Sequence, residues 1–166
     1  KPSSAASDVY KRQRQHSARI FCDIFMPDLT PSWADPRHVL RQVMNKASGM
    51  GFSCYVHPEI EFFVLNSLNT QGQRPQPIDN GGYFDQAFHD TAPHYRRHVI
   101  EALESMGISV EFSHHETAPG QQEIDLRFAD ALSMADNIMT FRYLVKEVAI
   151  NDGAVSYTHL TLPTKA

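Results

Sequence analysis

Two glutamates two positions apart, Glu59 and Glu61, sit in a run of β-forming residues, His57-Pro58-Glu59-Ile60-Glu61-Phe62-Phe63. A strand aims alternate side chains at one face, so these carboxylates must share a face, where like charges repel. A second pair, Glu116 and Glu123, brackets Thr117-Ala118-Pro119-Gly120 within His114-His115-Glu116 and Gln121-Gln122-Glu123. Pro and Gly there predict a tight loop, and the flanks then read as hairpin arms with a glutamate on each near the tip. Taken singly, a strand glutamate is most often a solvated side chain. Four that converge require cations between them, and an all-oxygen donor set favours hard ions such as Mg²⁺ or Mn²⁺.

The rest of the pattern supplies the frame. Residues 18–25 are apolar and β-rich and predict a strand, followed by a turn at Pro27-Asp28-Leu29-Thr30-Pro31. Asp35 as N-cap and Pro36 at the first helical position open a helix whose apolar stripe is Val39, Leu40, Val43, Met44 and Ala47, with Gly51 as its stop. Residues 55–65 predict a second strand, with Val56, Ile60, Phe62 and Val64 facing a core and His57, Glu59 and Glu61 opposite. Residues 66–80 read as an exposed loop and 81–85 as a short strand. A second helix is expected over 91–106, with Tyr95, Val99, Ala102, Leu103 and Met106 inward and Gly107 ending it. Strands over 108–116 and 122–128 form the hairpin, and a third helix runs over 131–151 with Met134, Ile138, Phe141, Val145 and Val148 on one stripe. Helices mixed with a hairpin and strands give an α+β class, a largely antiparallel sheet with flanking helices.

Composition excludes several functions. A chain of 166 residues with net charge -4 and 42% hydrophobic residues is one globular domain or part of one, and is too acidic for a binder of nucleic-acid backbones. No apolar run is long enough to span a bilayer and no secretory leader is visible, so no membrane association is expected and the localisation expected is cytoplasmic. Cys22 and Cys54 lie in apolar runs and are expected to be buried free thiols in a reducing compartment. His114 and His115 lack the Cys/His spacing of a zinc site and read as structural or substrate-lining. No Walker phosphate loop, dinucleotide glycine fingerprint or nucleophile elbow occurs.

Both ends look foreign. Asp8-Val9-Tyr10-Lys11-Arg12-Gln13 back-translates as GAT GTG TAT AAG AGA CAG, and Val155-Ser156-Tyr157-Thr158-His159-Leu160 as its reverse complement in a shifted frame. Both resemble a transposon-end sequencing adapter. Residues 1–13 and 155–166 are therefore expected to be adapter-derived tails around a genuine segment.

Within that segment, His57 to Phe63, Gly82-Tyr83-Phe84-Asp85, His114-His115-Glu116 and Gln121-Gln122-Glu123-Ile124-Asp125-Leu126-Arg127-Phe128 occur in an order and at separations that resemble glutamine synthetases of the bacterial type I class. In detail they look most like the actinobacterial paralogues, some of which are γ-glutamylpolyamine synthetases. The resemblance implies that residues 14–27 end an N-terminal β-grasp domain and that 28–154 are part of the catalytic domain. It implies ATP-dependent ligation of ammonia to the γ-carboxylate of L-glutamate through γ-glutamyl phosphate, with Mg²⁺ or Mn²⁺ as cofactor. A γ-glutamylpolyamine synthetase using an amine acceptor, or a non-catalytic metal-binding relative, are the alternatives.

Carried over by motif, Glu61, Glu116 and Glu123 surround one ion and are the catalytic set, and Glu59 helps to hold a second ion. Glu111 and Phe128 would bind ATP, the ring stacking on adenine, and Tyr83 would lie at the glutamate and ammonium site. From their own sequence context alone, Phe128 reads as core and Tyr83 as a buried aromatic. The resemblance further implies a homododecamer, and a family metal histidine, a last metal glutamate and phosphate-binding arginines that lie beyond this segment, which leaves the chain itself inactive. Leu29 departs from the pattern, standing where the family commonly has glycine.

Overall fold

The computed structural model describes residues 8–10, 17–66, 76–86 and 91–157. Most of the predicted 66–80 loop, and residues 1–7, 11–13 and 158–166 of the two predicted tails, lie outside the described residues. Two compact units emerge: the chain up to His57 together with Phe128–Met139, and Pro58–Arg127 together with the chain from Thr140 onward.

The first unit is organised by the start of one helix. Strand β1 (Asp8–Tyr10) pairs antiparallel with β2 (Ser17–Arg19), and helix α1 spans Pro36–Gly49. As predicted, Asp35 is its N-cap: one carboxylate oxygen accepts from the Arg37 N–H at 3.0 Å, the other from the Ile24 N–H at 3.2 Å. Arg37 forks between Asp23 and Asp136, and Arg41 also reaches Asp23 at 2.9 Å. These two arginines hold the Asp23 carboxyl below its ordinary range: the Arg41 hydrogen bond is the largest influence, and burial opposes it.

Two expectations need correction in this unit. The strand predicted over 18–25 ends at Arg19, apart from an isolated bridge between Phe25 and Pro31. Ile20 and Ile24 remain 56% exposed, and the Ile24 N–H turns to Asp35 instead of to a neighbouring strand. Cys22, in this irregular stretch, is exposed, and so is Cys54. The stripe on α1 exists, but no residue of that helix is buried.

The strand predicted over 55–65 is split. Strand β3 is Tyr55–Val56, β4 is Glu59–Asn66, and His57-Pro58 separates them, because Pro58 has no N–H to give a ladder. In the first unit β3 pairs antiparallel with β7 (Ala129–Asp130).

The second unit holds a four-stranded antiparallel sheet in the order β5 (Val110–His115), β6 (Gln121–Leu126), β4, β8 (Ala154–Tyr157). Phe62, Val64, Ile124 and Leu126 are fully buried on one face. Helix α2 (Thr91–Ser105) contributes Tyr95, Val99 and Leu103, four residues apart and fully buried, and Gly107 at φ 81 ends it. Helix α3 (Ala131–Asn151) contributes Phe141, Leu144 and Val145 to the same core. The Phe62 ring lies 6.0 Å from Tyr95 and 5.8 Å from Phe141, and each such buried side chain contributes roughly 2 kcal/mol. Residues 81–85, expected as a short strand, instead form a turn with Phe84 in the left-handed region at φ 59.

Leu29 also sits in the left-handed region, at φ 65, in a turn closed by Asp28, which accepts from the Thr30 N–H and hydroxyl. The glycine-type conformation is thus kept by a residue with a Cβ, at a cost of about 1 kcal/mol. Leu29 is 81% exposed, so its side chain returns little. Leu29→Gly is expected to raise the urea midpoint modestly, by up to about 1 kcal/mol of stability, the gain being reduced by the greater freedom of glycine in the unfolded chain. A lower midpoint would show that the leucine side chain has a packing role.

Candidate metal centre

Register decides which acids meet. In the β4–β6 ladder Glu61 lies directly opposite Glu123, and Glu59 directly opposite Asp125. On the far side of β6, His114 of β5 also lies opposite Glu123. The hydrophobic partners Ile60 and Ile124 pair on the other face, so burying that face forces the acids onto this one. Directly opposed carboxylates destabilise a sheet, and this one has two such rows side by side.

The tightest group among the described residues is His114, Glu116 and Glu123, whose ligand atoms all lie within 4.8 Å of one another. His114 Nδ1 lies 3.0 Å from the His115 carbonyl, which can only accept, so this nitrogen carries the proton. Its Nε2 lies on the side of Glu123, 3.5 Å from Oε1. The ring is clamped by aromatics: Phe84 stacks on it at 4.5 Å, Tyr83 meets it edge-on at 5.4 Å and Phe112 leans on it at 5.5 Å.

The carboxylates differ in character. Burial pushes the Glu123 carboxyl up to about 8, and the facing Asp125, Glu116 and Glu61 add to the rise. Burial also tends to raise Glu116, but the Thr117 N–H at 2.9 Å and hydroxyl at 3.0 Å, with His114, bring it below its ordinary value. Glu61 Oε2 accepts from Gln121 Nε2 at 2.6 Å. Burial is the largest cause of this rise and the neighbouring acids add to it, so negative charge is concentrated around Glu123. A divalent cation would relieve that charge, and two carboxylates plus an imidazole nitrogen are ligands that Mn²⁺ and related ions accept.

The structure therefore brings together Glu116 and Glu123 and places Glu61 opposite Glu123, as the sequence predicts. Glu59 lies one row further along, exposed. Tyr83 is exposed and touches His114. Glu111 lies at a bulge between Val110 and Phe112, and is exposed. Phe128 belongs to the first unit, 63% exposed and in edge contact with Tyr55, so it is not core. Sequence reasoning missed Asp125, although Glu123-x-Asp125 repeats the spacing of Glu59-x-Glu61. It assigned His114 only a structural or substrate-lining place. No local signal could show that loop residue Phe84 stacks on His114.

The catalytic domain of glutamine synthetase, as a family profile, matches residues 33–163, which includes part of the C-terminal stretch expected to be foreign. A glutamine synthetase of Mycolicibacterium smegmatis is 75% identical over 138 residues, which is 83% of this chain and 31% of that relative. One of Mycobacterium tuberculosis is 73% identical over 139 residues, 84% of this chain and 31% of the relative. The chain thus spans about a third of the length of the curated relatives it matches. A Plasmodium falciparum glutamine synthetase structure superposes with a TM-score of 0.76 at 21% identity, over 84% of this chain and 33% of that one, and so shares the fold. No helix among the described residues is long and apolar enough to cross a membrane.

The raised Glu123 carboxyl carries a pH prediction. Between about 4.5 and 8 the unfolded chain releases this proton while the folded chain keeps it, so the metal-free fold loses stability as pH rises through that window. Glu123→Gln removes the titration. With a chelator present, its Tm is expected to be close to that of the unaltered chain at pH 5 and clearly higher at pH 8.5. A Tm difference that does not widen with pH would show that Glu123 is not held protonated.

Proposed function

Because the chain belongs to the glutamine synthetase family, matching its catalytic domain, we propose that it is a segment of an enzyme that ligates ammonia to the γ-carboxylate of L-glutamate at the expense of ATP. The observation that carries this reading is the convergence of Glu116, Glu123 and His114 beside Glu61. The cofactor is Mg²⁺ or Mn²⁺, held by Glu61, Glu116 and Glu123, with Glu59 contributing to a second ion. When bound, the divalent ions neutralise nucleotide phosphate charge and lower the cost of bringing anionic glutamate to anionic ATP.

In this reading the γ-carboxylate attacks the γ-phosphorus, releasing ADP and giving an acyl phosphate. Ammonia then displaces phosphate and sheds a proton. The chain's own residues supply position. Gln121 orients the Glu61 carboxylate and Thr117 orients that of Glu116, so neither must reorganise when ligands arrive. Tyr83, exposed beside His114, contacts the amino-acid substrate. Glu111 binds the nucleotide, and the exposed Phe128 ring offers a face for adenine. The full-length protein assembles as a homododecamer in the cytoplasm.

A second acceptor is favoured by one observation. Tyr83, Phe84 and Phe112 are all more than 40% exposed around the acid cluster, a surface that suits the methylenes and ammonium groups of a polyamine. Phosphate release by the full-length protein, assayed with glutamate plus ammonia and with glutamate plus a polyamine, decides between them. Activity with ammonia supports the first reading, activity confined to the polyamine supports the second, and no ATP-dependent release with either overturns both. The 166-residue chain alone is expected to form no glutamine, because it holds about a third of such an enzyme. Measurable product from the purified chain would contradict this.

A further inference from the structure

Behind the acid face lies a second polar cluster that the proposed chemistry does not use. Asp79 is buried, with 1% of its side chain exposed, yet it anchors four groups. Its Oδ1 accepts from the Gly120 N–H at 2.8 Å, from His115 Nε2 at 2.9 Å and from the Gly81 N–H at 3.2 Å. Its Oδ2 accepts from Gln122 Nε2 at 3.2 Å, and Gln122 in turn bonds to Arg96. The other His115 nitrogen, Nδ1, lies 2.6 Å from the Glu116 carbonyl. The ring therefore links Asp79 to the backbone of Glu116.

These contacts have one target. Gly120 is in the loop between the two hairpin glutamates, His115 precedes Glu116, and Gln122 precedes Glu123. Because neighbouring strand residues point to opposite faces, a clamp on His115 and Gln122 fixes Glu116 and Glu123 without touching them. The same carboxylate secures the turn that carries Tyr83 and Phe84, whose Phe84 N–H also donates to the His115 carbonyl at 3.0 Å. Space is matched to this arrangement: a Cβ on Gly81 would stand 2.7 Å from His115 Nε2 and push the ring off Asp79.

We propose that Asp79 is a positioning residue of the cation site, acting from the opposite face of the sheet to hold Glu116 and Glu123 at ligand spacing. The inference rests on the metal reading given above. Its effect on affinity follows from preorganisation: ligands that must be gathered bind more weakly, typically 10- to 100-fold when a supporting partner is lost.

Mn²⁺ titration of the 166-residue chain, followed by electron paramagnetic resonance, tests it. Asp79→Ala removes all four anchors. Asp79→Asn preserves the shape but turns an NH₂ toward at least one donor, and it decides the matter if Asp79→Ala does not fold. Gly81→Ala displaces His115 without altering Asp79. Each is expected to weaken Mn²⁺ binding about 10-fold or more, with a changed line shape for the bound ion. Val148→Ala, a core truncation in the same unit, is the control for stability alone and is expected to leave the affinity within about twofold, measured well below each Tm. Unchanged affinity in folded Asp79 variants, or an equal loss in Val148→Ala, overturns the positioning role while leaving the metal reading intact. If the unaltered chain binds no Mn²⁺, both fall.

Discussion

Everything at this site depends on the pairing of β4 with β6. One ladder sets Ile60 against Ile124 on the inside and Glu61 against Glu123 on the outside. The inner pairing is favourable because it buries apolar surface against α2 and the later turns of α3. The outer pairing is unfavourable because it opposes like charges. The register is chosen by the first and imposes the second: slipping by one residue would separate the acids but turn Phe62 and Val64 into water. The hydrophobic face thus supplies the free energy that keeps negative charge concentrated.

Much of this was legible in the sequence, for identifiable reasons. Helix α3 spans the residues predicted, and α1 begins at the Asp35-Pro36 signal, because caps and 3.6-residue periodicity are local features. The hairpin was marked by Pro119-Gly120, with Gly120 at φ 73. Alternation in β4 placed the glutamates on one face correctly. Residues 18–25 show where composition misleads: β-forming side chains define a strand only if another strand lies alongside, and that is not a local property. The exposure of Cys22, within this stretch, follows from the same error. Pro58 carried a legible warning, since a residue without an N–H interrupts a ladder.

The site was less legible than the fold. Glu116 and Glu123 were found by spacing, but Asp125 emerged only when the β4–β6 register set it against Glu59. His114 required knowledge of what its other nitrogen faces and which rings clasp it. Asp79 lies more than thirty residues from every group it anchors except Gly81, so only the folded chain brings them together. Phe84 adopts a left-handed backbone that an aromatic residue adopts at a cost, and its ring lies flat on His114 as a result.

The bulge in β5 has a consequence of its own. Pairing steps from Val110 opposite Leu126 to Phe112 opposite Asp125, so Glu111 is the surplus residue of the strand. Excising it would let the ladder close regularly, with Ile108 and Val110 still directed toward the interior and His114 toward the acids. The ladder itself therefore does not require a residue at that position. What the kink does provide is a carboxylate carried out of line with the rest of the strand, a lateral branch on an otherwise continuous rail.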